Sequence, residues 1–67
     1  MIIETKVVQD YENGNNVFSV KFSDSPTLED RQAAFKLAPF PWGTFENPQI
    51  FKSSVIDEPG WWDVGNA

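Results

Sequence analysis

The sequence predicts a small α+β domain: an N-terminal antiparallel β-hairpin, one short α-helix packed on it, a third β-strand and an aromatic C-terminal tail. Three observations lead there. Residues 17–22, Val-Phe-Ser-Val-Lys-Phe, alternate large apolar side chains (Phe18, Val20, Phe22) with small or charged ones (Ser19, Lys21), the period of a strand with one buried face. The cluster Glu12-Asn13-Gly14-Asn15-Asn16 just before it is rich in residues that tolerate positive φ, which marks a hairpin turn. The segment after it opens with Ser25-Pro26-Thr27 and carries a helix-compatible run as far as Leu37.

The hairpin is assigned to residues 2–22. In its first strand Ile3, Thr5, Val7, Gln9 and Tyr11 share one face and Ile2, Glu4, Lys6, Val8 and Asp10 the other, with the first set the better core face. A two-residue Asn13-Gly14 turn would set Lys6 against Lys21, a repulsive cross-strand pair. A four-residue loop from Asn13 to Asn16 avoids this and pairs Glu12 with Val17, Tyr11 with Phe18, Gln9 with Val20 and Val7 with Phe22, so it is the preferred register.

The helix is placed at residues 26–38. Pro26 suits a first helical position, Ser25 or Asp24 can cap free amides, and Glu29 and Asp30 complement the positive end of the helix dipole. Leu28, Gln32 and Phe35 form one stripe with Ala34, Leu37 and Ala38 beside it, so Leu28, Phe35 and one alanine flank are expected to cover Phe18, Val20 and Phe22. Residues 39–48 hold three prolines and three aromatics and read as an extended connector. Residues 49–57 read as the third strand, added antiparallel to the hairpin, and residues 58–67 as the aromatic tail. The 67 residues make one domain, since neither half could bury a core of its own.

Composition narrows function. Without cysteine there is no disulfide framework or thiolate nucleophile, and without histidine the commonest general base and transition-metal ligand are missing. Ten acidic against five basic residues, a net charge of −5, argue against gripping a nucleic-acid backbone. The N-terminus lacks the basic and apolar regions of a signal peptide, and no apolar run approaches a membrane span, so the expected setting is cytoplasmic with no membrane partner. The carboxylate pairs Glu29/Asp30 and Asp57/Glu58 have sufficient roles at a helix start and before a turn, and the four glycines are isolated turn residues. The expectation is a non-enzyme with no catalytic residue, cofactor or metal. No motif is specific enough to name a family.

The aromatics carry the functional expectation. Trp61 and Trp62 are adjacent, so in an extended backbone their side chains take opposite faces and at most one enters a given core. Trp42, Phe45, Phe51, Trp61 and Trp62, with Asp63, are the expected contacts to another protein or a second copy, because tryptophan is enriched among interface anchors. An acidic rim would steer encounter. Small size without catalytic apparatus suits an accessory or inhibitor protein of the kind phages and mobile elements encode. Two alternatives use the same side chains: a structural protomer of a homo-oligomer, and a carbohydrate-binding surface in which Trp61 and Trp62 stack on sugar rings while Asp63, Asn66 and Gln49 read hydroxyls.

Overall fold

The alternating run around Val20 becomes the second strand of a hairpin, as its period requires. The computed structural model describes all 67 residues. Strand β1 spans Ile2–Asp10, β2 Asn15–Phe22, helix α1 Leu28–Leu37, β3 Phe40–Pro41, β4 Phe51–Lys52 and β5 Trp61–Asn66. Strand order is β1-β2-β5-β3, with β4 also paired to β5, and every pairing is antiparallel. Since β2 takes one side of β5, β3 and β4 lie end to end along the other.

The fold class and the hairpin are those read from the sequence, but the register differs from both options weighed. Val7 pairs with Phe18, Thr5 with Val20 and Lys6 with Ser19, so the loop is Tyr11 to Gly14. Asp10 decides this. Its carboxylate accepts hydrogen bonds from the Glu12 backbone N–H and the Asn13 side chain, both at 3.0 Å, and its carbonyl accepts one from the Gly14 N–H at 2.6 Å. Such a side-chain-organised loop needs only one residue at positive φ, and Gly14 supplies it at 70°. The lysine clash also disappears, because Lys21 now faces Glu4.

The helix is shorter than the expected 26–38 and starts two residues after Pro26, with Thr27 as its cap in place of Ser25 or Asp24. A capping box fixes this start: Thr27 Oγ1 accepts from the Asp30 N–H, and the Asp30 carboxylate accepts from the Thr27 N–H. Asp30 also receives the Met1 ammonium at 2.9 Å. The hydrogen bond from that ammonium, then the one from the Thr27 backbone, hold the Asp30 carboxyl below its ordinary range against a smaller opposing effect of desolvation. At the other end the Ala38 N–H bonds the Ala34 carbonyl, and Pro39 follows.

The core joins Val20, Phe22 and Val64 from the sheet to Ala34 and Ala38 from the helix, with Ile2, Phe18, Ile50 and Trp62 packed around them. The face of the helix differs from the expected one: the alanines are buried, while Leu28 and Leu37 remain about half exposed. Large side chains come from the sheet, so the helix approaches through its smallest residues. The face of β1 expected in the core is also outside. Ile3 and Val7 stay 58% and 55% exposed and Tyr11 89%, because β1 is the sheet edge and α1 packs over β5.

The C-terminal half rearranges most. Only Phe51 and Lys52 of the expected strand at 49–57 enter the sheet, and they pair with β5 instead of the hairpin. The expected tail supplies the central strand. Within the connector, Phe40 and Pro41 pair with Asn66 and Gly65. That approach depends on glycine: a Cβ at Gly65 would overlap the Phe40 carbonyl oxygen and lie 2.6 Å from Pro41 Cα.

Candidate functional site

Strand β5 sorts its side chains between the two faces of the sheet, and this sorting builds the site. Trp62 pairs with Val20 and, with Val64, faces the helix. Trp61 pairs with Lys21 and Asp63 with Ser19, so both project from the opposite face. The two indoles therefore form no shared platform.

On the face away from the helix, Ser19 Oγ donates to Asp63 Oδ1 at 2.8 Å, with the serine fully buried and the aspartate 8% exposed. Trp61 is also buried at 4% exposure. Its Nε1–H donates to Glu58 Oε2 at 3.3 Å, and the Lys6 ammonium sits 5.8 Å from its ring centroid. A buried indole usually finds a partner for its N–H, and a lysine above the ring adds cation–π attraction. Trp61 and Asp63 thus tie β1, β2 and β5 together.

Beyond them the same face becomes aromatic and open. Phe51 pairs with Asp63, and Phe40 pairs with Asn66, which a bulge in β5 between Asp63 and Gly65 brings back to the face of Val17 and Ser19, so both project on the Trp61 side. Phe40 is 67% and Phe51 56% exposed. Half-buried Trp42 packs against Phe51, ring centroids 6.0 Å apart and planes tilted by 56°. Its backbone is fixed on both sides: the N–H donates to the Val64 carbonyl and the C=O accepts from the Gln49 N–H, each at 3.1 Å. The tight turn that follows needs Gly43, whose φ is 82° and whose Cβ would come 2.6 Å from the Asn47 carbonyl.

Phe45, in that turn, goes elsewhere. Its ring meets Phe35 edge to face at 6.2 Å with Lys36 Nζ 5.1 Å from the centroid, and its carbonyl accepts from Gln32 Nε2. It fastens the connector to α1. Of the residues singled out in the sequence, Trp42 and Phe51 come together on open surface, Phe45 lies against the helix, Trp62 lids the core, and Trp61 and Asp63 are interior supports. Phe40 shares the face of the open pair although it was not among the expected contacts. Its signal was its setting between Pro39 and Pro41, which keeps the chain extended, and its place two residues before Trp42, which puts the rings on one side of an extended segment.

A surface depression of about 720 Å³ lies at the other end of β5 between the Ser23–Ser25 turn and the chain from Lys52 to Trp62. Lys21 and Lys52 line it together with Asp24, Asp57 and Glu58, so neither sign of charge dominates. No helix is long and apolar enough to cross a membrane. No protein-family model, curated protein or solved structure matches the chain.

Proposed function

We propose that the chain is a non-enzymatic protein-binding module whose anchor is the aromatic strip Phe40, Trp42 and Phe51. The observation that carries this reading is the Trp42–Phe51 pair itself: two large rings in contact on the sheet face that no helix covers, with Phe40 alongside and two of the three more than half exposed. Single exposed apolar residues are ordinary on protein surfaces, whereas grouped ones mark contact sites. The strip is pre-organised by the Trp42 backbone bonds and the Gly43 turn, so little ordering entropy is lost on docking. The net charge of −5 favours a partner whose apolar cleft is rimmed by lysine and arginine. An accessory or inhibitor role fits a small acidic chain that acts by occupying such a cleft.

The test places a photo-reactive phenylalanine analogue at position 40, cross-links in the cells that make the protein, identifies the adduct and measures its affinity with purified components. Trp42→Ala and Phe51→Ala are each expected to weaken that affinity by about 2 kcal/mol, the size of an interface hot spot. Phe45→Ala is expected to leave it nearly unchanged. A partner indifferent to Trp42 and Phe51 would refute the assignment.

A further inference from the structure

The two edges of the sheet are unlike. On one, β3 and β4 are two residues each and Pro41 offers no N–H, so little backbone is free to pair. On the other, β1 runs for nine residues with β2 on one side only. It carries no proline, and Glu4, Thr5, Lys6 and Val7 are all exposed. A long strand with one row of free N–H and C=O groups is a template for another strand.

We infer that β1 pairs antiparallel with β1 of a second copy, centred on Thr5, to make a two-fold symmetric dimer with one continuous sheet. The sequence of the strand selects both the occupant and the register. Centred on Thr5, the pairing sets Glu4 against the partner's Lys6 and Lys6 against the partner's Glu4, and it brings Ile3 opposite Val7 on each side. Every neighbouring centre is worse: Lys6 or Glu4 at the axis faces its own like charge, and Val7 at the axis sets Glu4 against Asp10. An edge lysine ordinarily discourages sheet extension, and here the Thr5-centred register both neutralises it and covers the half-exposed Ile3 and Val7. A Val8-centred register would set Lys6 against an Asp10 carboxylate that the hairpin loop already holds and would leave Ile3 uncovered. The bulge at Ile3 leaves Glu4–Asp10 as regular ladder, which contains the axis and both charge pairs. A two-fold contact of this kind is isologous, so a single substitution acts twice. The inference concerns a surface separate from the aromatic strip and stands or falls independently of the partner proposed above.

The experiment is sedimentation equilibrium on the full chain from micromolar to millimolar concentration, with far-ultraviolet circular dichroism confirming that each variant is folded. A monomer–dimer equilibrium is expected. Glu4→Lys and Lys6→Glu are each expected to weaken it about tenfold or more, since each turns two attractive pairs into two repulsive ones. An equimolar mixture of the two variants is expected to recover association, because their heterodimer pairs lysine with glutamate throughout, and Glu4→Lys combined with Lys6→Glu is expected to recover it in one chain. Val7→Lys, at an exposed position, is a second disruptor that leaves Glu4 and Lys6 in place. A chain monomeric at millimolar concentration overturns the inference. So does a dimer indifferent to these reversals, or a mixture as weak as its components.

Discussion

Replacing Ser19 by alanine tests the contact that joins the hairpin to the central strand. Ser19 Oγ donates to Asp63 Oδ1 at 2.8 Å, and both side chains are buried on the face that no helix protects. A hydrogen bond to a charged group contributes a net of about 1.5–3 kcal/mol. Domains of this length hold only about 3–10 kcal/mol in total, so the loss is a large fraction of stability. With a urea dependence of about 1 kcal/mol per molar for a small chain, the unfolding midpoint of Ser19→Ala should fall by about 2 M. Asp63→Ala leaves a fully buried hydroxyl without a partner and should cost about 1–3 kcal/mol, whereas Asp63→Asn keeps an acceptor and should cost less. In the double variant the two losses overlap, so Ser19→Ala/Asp63→Ala should be more stable than the sum of the singles predicts by about 1 kcal/mol or more. Urea titrations followed by tryptophan emission read all of these. A midpoint within about 0.3 M of wild type for Ser19→Ala, with no coupling in the cycle, would refute the reasoning.

Other outcomes follow from single contacts. Gly65→Ala should cost about 3 kcal/mol, the upper end for overpacking, because the obstacle is the Phe40–Pro41 backbone; amide hydrogen exchange should show lost protection at the Trp42 N–H. Thr27→Ala should cost about 1 kcal/mol through loss of the cap, read as a lower thermal midpoint. Since the Asp30 carboxyl titrates below its unfolded value, its contribution is present above about pH 4 and is lost as pH falls through the folded value. Asp30→Asn should therefore be less stable than wild type at pH 7, with the gap closing as the medium is acidified, in melts recorded across the acid range.

The hairpin and the helix were legible because local chemistry sets them: alternation in Val17–Phe22, Asn and Gly in the turn, Glu29 and Asp30 at the helix start. The cap itself is Thr27 and not Ser25 or Asp24, because only Thr27 stands three residues before the Asp30 that completes the capping box. The loop register was not, because it turns on which carboxylate organises the backbone, and Asp10 looks like any other polar residue at the end of a strand. The helix face was not legible, because helical spacing ranks Leu28 above Ala34, whereas packing ranks the residue that lets a sheet bearing Phe22 and Trp62 come close. Placing β5 needed one further step. Trp61-Trp62-Asp63-Val64 carries bulk on both faces, which is what a strand covered on both sides requires, yet a short run ending in glycine near the chain terminus reads as a tail. Its ladder partners in β2 are some forty residues away, beyond any local signal. The same non-local step separates the two tryptophans, one under Lys6 and the other under the helix, and shifts the open aromatic surface to Phe40, Trp42 and Phe51.

The two proposed surfaces also constrain one another through the geometry of the sheet. The aromatic strip belongs to the β3/β4 edge and the self-complementary strand to the β1 edge, with β2 and β5 between them. Strands lie about 4.8 Å apart, so a dimer through β1 separates its outer edges by seven spacings, about 34 Å before twist. A two-fold axis perpendicular to the sheet keeps both strips on the same face. Such a dimer would be a bivalent binder, and its gain would come from effective concentration, with no new contact at either strip. Glu4→Lys should then leave the affinity for a single partner molecule in solution unchanged while weakening retention on a surface that displays the partner densely, by about 100-fold or more. Surface plasmon resonance at high and low partner density separates the two quantities. Equal losses at both densities would mean that β1 contacts the partner directly, and the independence of the two surfaces would fail.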